Sequence, residues 1–516
     1  MSESIRIRRG RRPIPSAVFA ATLAFVLFLA DTFPAPAQDL ATSEKPRILT
    51  IEEVVRMALT NNLDILISQL NPVIDQFAIY GLYGAYEPSL SVSAIHNYDA
   101  LPGGVFTTIG TAYGSSIEKI DSYQPGLSGA LPTGLQYNLT GPLSRQNVNQ
   151  SGFGLIDYTS SPGITLSQPL LKNMWIDNTR YQIQVSKTTL KLDQLALRLQ
   201  IMTVVNNIKA AYYNLIFARE NVDVEKAAVA LAKETMNEDL ERVQVGALAP
   251  LDEKQAESQA ASSESDLLTA ETTLIQQENV LKNLLSFRLS DWTGVMPVPS
   301  EQLVAVPENP DLQECWRIGL ARRPDLLQAK ATVEKQHVTL KYTKNQLFPE
   351  LDLVGSYGRN ATALTLDNNF TQIRQGTYPF YSYGVTLTVP LGNSAARYNY
   401  KSAKAALQQL LLQLKKTEST IVIAIDNDVK TIRADLLKVN STRQARIYAE
   451  DALQAEQTKL QHGKSTSFIV LQLQNNLTSA RSAEIRALAD YNIATEQLSF
   501  DEGTTLERNH IDLQLR

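Results

Sequence analysis

Residues able to carry covalent or acid–base chemistry are sparse in this chain. It holds one cysteine, Cys315, and four histidines, at positions 96, 337, 462 and 510. A lone thiol excludes an intramolecular disulfide and a thiolate metal cage, and histidines so scattered offer no metal-ligand spacing. No Gly-rich phosphate loop, nucleophile elbow or catalytic Cys–His arrangement is present. No catalytic residue, cofactor or metal site is therefore predicted, and the chain does not read as an enzyme. What does recur is a pair of turns: Gly246 followed by Gln255, and Gly463 followed by Gln472. Asp252 stands beside the first turn and Lys464, Ser465 and Ile469 beside the second. The two glycines read as helix ends, where a left-handed backbone costs glycine little. Asp252 falls near a helix start, where a carboxylate favours the helix dipole. Cys315 lies on an inward-facing pattern and reads as a packed thiol.

The elements that carry these turns come from a duplication. Glu53, Leu59, Asp64, Leu66, Pro88 and Leu90 match Glu314, Leu320, Asp325, Leu327, Pro349 and Leu351 without a gap. The segment from Gly163 through Pro169 to Leu170 matches that from Gly384 through Pro390 to Leu391, and the Gly–Gln turns are the third pair. Three matches in one order are not chance. Between Leu171 and Thr293 only Gly246 and Pro250 interrupt a helical composition, and between Asn393 and Glu502 only Gly463 does. The run from Lys172 to Val245 is about 70 residues, roughly 105 Å as a helix, and that from Asn393 to His462 is similar. Rods of this length do not fit inside a globule. Leu197, Ile201, Val204, Ile208, Ala211 and Leu215 follow a 4-3-4-3 spacing, as do Ile425, Val429, Ile432, Leu436 and Val439. An offset stripe (Leu192, Leu195, Leu199, Met202) implies a second lateral neighbour, as in a ring of helices; an ordinary antiparallel coiled coil is the alternative. Shorter return helices are predicted over Leu251–Phe287, Asp311–Leu347, Ser465–Phe500 and Thr50–Tyr86. A connector rich in proline (Pro297, Pro299, Pro307, Pro310) is expected to belt the middle.

Away from the turns the period becomes two. The segments after Pro88 and Pro349 alternate apolar with small or polar residues, and those ending at Pro169 and Pro390 are rich in Thr and β-branched residues. Four membrane strands per chain are predicted, with Gly-, Ser- and Asn-rich loops near 99–157 and 359–378 and an extra hairpin over Gly126–Pro142. Tyr98, Tyr158, Tyr357, Tyr378, Phe380, Tyr381 and Tyr383 are candidates for an interfacial belt. Four strands cannot close a barrel, and an open edge in lipid leaves backbone groups unsatisfied at several kcal/mol each. Several copies must then share one barrel.

The N-terminus supplies the route. Arg6, Arg8, Arg9, Arg11 and Arg12 precede an apolar run from Val18 to Ala30, and Ala35-Pro36-Ala37 fits signal-peptidase cleavage before Gln38. The apolar run is shorter than the roughly 20 residues a bilayer-spanning helix needs. Net charge is −5 and becomes about −8 once residues 1–37 are removed, which argues against nucleic-acid binding. The expected order is signal peptide (1–37), N-terminal helical segment (38–88), first strand pair with an outer loop (89–170), first long helical hairpin (171–286), connector (287–310), helix of the second repeat (311–348), second strand pair (349–392), second long hairpin (393–502) and tail (503–516).

With Pro88 and Pro349 at helix–strand joints, two Gly-x-Thr-Leu-x-x-Pro-Leu segments, and tips at Val245-Gly246 and His462-Gly463-Lys-Ser-Thr, the chain resembles the TolC-like outer membrane efflux proteins from about Leu49 to Phe500. The resemblance implies a homotrimer: a shared twelve-stranded barrel in outer-membrane lipid, open to the outside, above a periplasmic tunnel of twelve helices. It further implies a periplasmic adaptor protein and an inner-membrane RND, ABC or MFS transporter as partners, in drug or metal efflux or in type I secretion. By the same resemblance Asp252 matches an acidic residue that helps hold the periplasmic entrance shut. Its basic partner falls at Ser465, which carries no charge, leaving adjacent Lys464 as the substitute. The family's cation-binding acidic ring falls at Ile469 and Gln472, so strong cation selectivity is not expected there. A structural or adhesive periplasmic coiled-coil protein without a pore is the rival reading; it accounts for the helices but not for the duplicated Pro-strand-loop-strand units.

Overall fold

The computed structural model describes residues 45–105, 112–150, 153–246, 248–285 and 295–511. The predicted signal peptide and part of the 287–310 connector lie outside the described residues. Chain order is β1 (Lys45–Leu49), α1 (Ile51–Asn61), α2 (Leu63–Tyr83), β2 (Ser89–Leu101), β3 (Gly104–Val105), β4 (Ala112–Tyr113), β5 (Ser116–Ala130), β6 (Gln136–Thr140), β7 (Leu143–Gln150), β8 (Phe153–Ser160) and β9 (Gly163–Pro169). Then come α3 (Asn178–Gln244), α4 (Pro250–Leu285), β10 (Val295–Pro299), α5 (Leu312–Arg322), α6 (Pro324–Asn345), β11 (Glu350–Arg359), β12 (Ala361–Ala363), α7 (Leu366–Gln375), β13 (Pro379–Thr388), α8 (Ser394–Gln461), α9 (Ser467–Asp501) and α10 (Thr505–Arg508).

The long helices α3 and α8 run for 67 and 68 residues, each about 100 Å. Their 4-3-4-3 residues are the ones that pack: Ile201, Val204, Ile208 and Leu215 on α3, and Ile425, Val429, Ile432 and Val439 on α8, are all nearly inaccessible. On one half of the rods α3 meets α2 and α6, and α6 meets α8; on the other half α4 and α9 pack beside α3 and α8. Where the halves meet, β1 and β10 form a two-stranded sheet. Tyr212 of α3, fully buried, donates to the Leu49 carbonyl at 2.9 Å and fastens that belt to the rod.

The two shorter helical segments expected over Thr50–Tyr86 and Asp311–Leu347 are each broken once, which corrects the reading of a single helix. The first breaks at Asn62, whose side chain caps α2 by accepting from the Asp64 and Ile65 amides. The second breaks at Arg323, because Pro324 opens α6 and lacks the amide to continue α5. These positions are equivalent in the duplication. Asn62 donates to the Leu284 carbonyl at 3.0 Å, while Arg323 reaches the backbone and carboxylate of Asp501. Beside the second break, Gly319 lets α5 press onto α8: a Cβ there would lie 2.5 Å from Ile425 Cδ1. Gly319→Val is expected to lower stability by about 1–3 kcal/mol through overpacking, read as a fall in thermal midpoint, whereas the same change at open Gly84 should not.

The sheet holds more strands than the four predicted. The predicted four are β2, β9, β11 and β13, and the hairpin β5–β6 lies between β2 and β9. The antiparallel ladder runs β2-β5-β6-β9-β11-β13, six strands in all. Beyond Gly141-Pro142 and Ser161-Pro162 the course of β6 continues as β7 and that of β9 is preceded by β8, and these upper parts pair β5-β7-β8-β12. The hairpin was expected over Gly126–Pro142; its first strand begins ten residues earlier. Charged residues and Pro125 in β5 blur the period-two signal, so only pairing with β2 makes it one strand.

Candidate functional site

The cross-strand registers carry the lower part of the sheet as one apolar and one polar face. One face of the sheet carries Leu90, Leu127, Leu139, Ile164, Tyr357 and Tyr381 in one row, with Leu353 opposite Val385 and Leu351 opposite Leu387 below it. The other face carries Ser89, Ser128, Asn138, Thr165, Ser356 and Ser382 in the corresponding places. Alternation in each strand produces this because side chains point to opposite faces at a period of two. The apolar face is exposed in the single chain: Leu90 is 74% accessible, Tyr383 85% and Leu387 60%. An apolar face this broad, backed by a face of hydroxyls and amides, is the surface of a wall between lipid and water. Of the aromatics expected in a belt, Tyr98, Tyr158, Tyr357, Tyr381 and Tyr383 share the apolar face. Phe380 does not. It pairs with Gly358 on the polar face, its ring covering Gly358 and Gly163, where no side chain competes for the space.

The joint prolines stand at the base of the sheet. Pro88 and Pro349 precede β2 and β11, Pro169 ends β9, and Pro390 follows β13. The β5–β6 turn is tied to the same level, since Gln168 Nε2 donates to the Thr133 carbonyl at 3.4 Å and Arg180 of α3 lies against Gly134. Asn173 and Asn393, both left-handed, lead the chain from sheet to long helix in the two repeats.

At the far ends of the rods lie the turns. Gly246 and Gly463 have φ of +76° and +70°, the left-handed conformation predicted for them. Asp252 lies in the first turn of α4 and accepts from the Ala249 amide at 3.2 Å, a helix-capping role. Among the described residues no ion pair joins it to Lys464, whose side chain is exposed. Asp252→Ala should therefore cost about 0.5–2 kcal/mol of helix stability while Asp252→Asn retains most of it, measured by thermal unfolding. Ser465 donates to Glu456 at 2.5 Å. The Lys459 ammonium, and after it this hydroxyl, hold the Glu456 carboxyl below its usual range. Ile469 is 40% accessible. The repeat-equivalent Gln255 and Gln472 face a common cleft of about 500 Å³ between α4 and α9, which Phe468 and Leu251 also line.

The sequence reading missed the polar groups that join α9 to its neighbours. Asp239 of α3 is fully buried and accepts from Ser467 at 2.7 Å; burial, then the charge of Asp252, raises its carboxyl above the usual range. Gln259 and Asn475 exchange two hydrogen bonds of 2.6 and 2.8 Å across α4 and α9. Neither pair has a local signal, because the partners lie more than 200 residues apart. Cys315 is packed as predicted: burial, then a hydrogen bond with Glu502, pushes its thiol up to about 12. Among the described residues no cluster suits a metal ion, and no helix is long and apolar enough to cross a membrane.

Comparison with known proteins fits this geometry. The outer membrane efflux protein family matches residues 133–286 and 318–501. The chain is 22% identical over 364 residues to the outer membrane efflux protein BepC of Brucella suis, covering 68% of this chain and 74% of that protein. It is 21% identical over 417 residues to the outer membrane protein TolC of Escherichia coli, covering 77% and 79%. The crystal structure of the CmeC outer membrane channel of Campylobacter jejuni superposes with a TM-score of 0.65 at 17% identity, covering 90% of each chain. The chain therefore belongs to the outer membrane efflux protein family and is a non-enzymatic efflux channel of the outer membrane with a periplasmic helical extension.

Proposed function

We propose that three copies of this chain assemble around one pore, and that the pore exports solutes or proteins with a periplasmic adaptor and an inner-membrane RND, ABC or MFS transporter. Membership of the family carries the tripartite setting; the edges of the single chain carry the assembly. On the sheet, among the described residues, β2 pairs only with β5 and β13 only with β11, so each leaves one row of backbone groups open. In lipid such an edge is untenable. Below it, α2 exposes Leu63, Ile67, Leu70, Ile74 and Phe77, at 52–67% accessibility and in 4-3-4-3 spacing. That is a coiled-coil seam without its partner, continuous with the open edge of β2. A second copy, presenting β13 and α8 with its exposed Ile423 and Leu437, is the complement.

Solutes enter at the periplasmic tip, where Lys464, Ile469 and Gln472 stand exposed beside the turns. The Asp252–Lys464 lock, absent within one chain, is proposed between copies. Without a carboxylate at Ile469 or Gln472, the entrance is expected to discriminate weakly among cations. The native mass of the detergent-purified mature protein and its conductance in planar bilayers test the pore. A trimer that passes current is expected; a monomer that passes none overturns it. Unchanged conductance in both Asp252→Asn and Lys464→Ala removes the lock alone.

A further inference from the structure

We infer that the barrel closed by three copies has eighteen strands rather than twelve, so that the opening through the membrane is wider than four strands per chain would make it. The inference rests on the shared-pore reading above. Each chain contributes β2, β5, β6, β9, β11 and β13 in one unbroken antiparallel ladder.

The hairpin β5–β6 has the character of wall rather than of loop. Leu127, Leu139 and Tyr137 fall on the apolar face, and Ser128, Asn138 and Thr140 on the polar one, in step with the strands on either side. Placed outside the membrane, the hairpin would hold that apolar row against water. Its turn is also fixed at the base of the sheet, where Thr133 meets Gln168 and Gly134 meets Arg180 and Pro169. A strand pair reaching the same base as β2 and β9 traverses the same layer they do.

Circumference accommodates the larger count. The chain supplies four helices side by side beneath the sheet, in the order α2-α3-α6-α8. At about 10 Å between axes they occupy about 40 Å of a ring. Strands about 4.8 Å apart and tilted by about 40° each occupy roughly 6.3 Å, so four cover about 25 Å and six about 38 Å. Six strands therefore fit around the ring that the helices set.

Paired cysteines in the full chain, taken from outer membranes as the assembled oligomer, test this. Residues directly opposite on antiparallel strands lie within disulfide range. Ser93→Cys with Gln124→Cys, and Asn138→Cys with Thr165→Cys, should each cross-link within one chain on oxidation. Ser91→Cys with either Thr165→Cys or Ser167→Cys should not. The native Cys315 is buried and away from the sheet. The reverse pattern in an intact oligomer overturns the strand count and leaves the shared pore standing; absence of any oligomer overturns the shared pore itself. Polymer exclusion from the outer side of the unaltered protein needs no variant. The largest polyethylene glycol admitted should have about one and a half times the radius expected of a twelve-stranded barrel, since diameter grows roughly in proportion to strand number. A cut-off matching twelve strands sinks the inference.

Discussion

Val385→Arg is expected to remove the protein from the outer membrane as a stable oligomer, while Thr386→Arg, one residue along the same strand, leaves it near the unaltered level. Val385 lies on the apolar face opposite Leu353 and is 61% accessible in the single chain. A guanidinium facing lipid near mid-depth costs about 2–4 kcal/mol per chain, and a symmetric assembly incurs that cost at every copy. Thr386 points to the polar face opposite Asp352, so arginine there meets water and a carboxylate. Heat-modifiable oligomer in outer-membrane fractions is the measurement. Equal loss in both variants would mean that the two faces of the sheet are not lipid and lumen.

The second large effect is expected at the break between α5 and α6. Arg323 is held by Asp501 at 2.6 Å and by both oxygens of Asp325 at 3.0 and 3.1 Å, with Phe500 beneath its guanidinium. Both Arg323 and Asp501 are largely buried. Arg323→Ala leaves the Asp501 carboxylate without its cation, a loss of about 3–5 kcal/mol for a buried pair broken on one side. Asp428 lies beside this cluster. Burial, then the adjoining Asp501 side chain, raises its carboxyl to about 8. A carboxyl whose folded value lies above its unfolded one favours the fold while protonated. Its contribution is complete below the ordinary carboxylate range and is lost as pH rises through about 8. Thermal midpoints should therefore fall as pH rises from the ordinary carboxylate range to about 8 and level off above it, and Asp428→Asn, which keeps a donor for Asp501 but cannot ionise, should flatten that fall. A fall as steep in Asp428→Asn as in the unaltered chain would assign that loss to another group.

Both effects come from the same duplicated frame, and the frame has diverged where it matters. Asn62 and Arg323 occupy equivalent breaks, yet one caps a helix with an amide and the other neutralises a buried acid. The first repeat carries the β5–β6 hairpin between its two strands, and the second carries α7. That helix is fixed to β8 and β12 by fully buried Asn369, which accepts from Ser160 and donates to the Tyr158 and Ala361 carbonyls.

Length and local period are properties of the chain alone. The 4-3-4-3 stripes of α3 and α8, the left-handed turns at Gly246 and Gly463, and the prolines at the sheet joints were legible because each needs only near neighbours. The break at Arg323 was legible too, had Pro324 been taken as a helix start. Three things depended on the tertiary structure: the place of β5 and β6 in the ladder, the burial of Asp239 against Ser467, and the meeting of Arg323, Asp428 and Asp501. Strand order and buried polar pairs are contacts between residues far apart in sequence, and no period within one segment records which distant segment it will face.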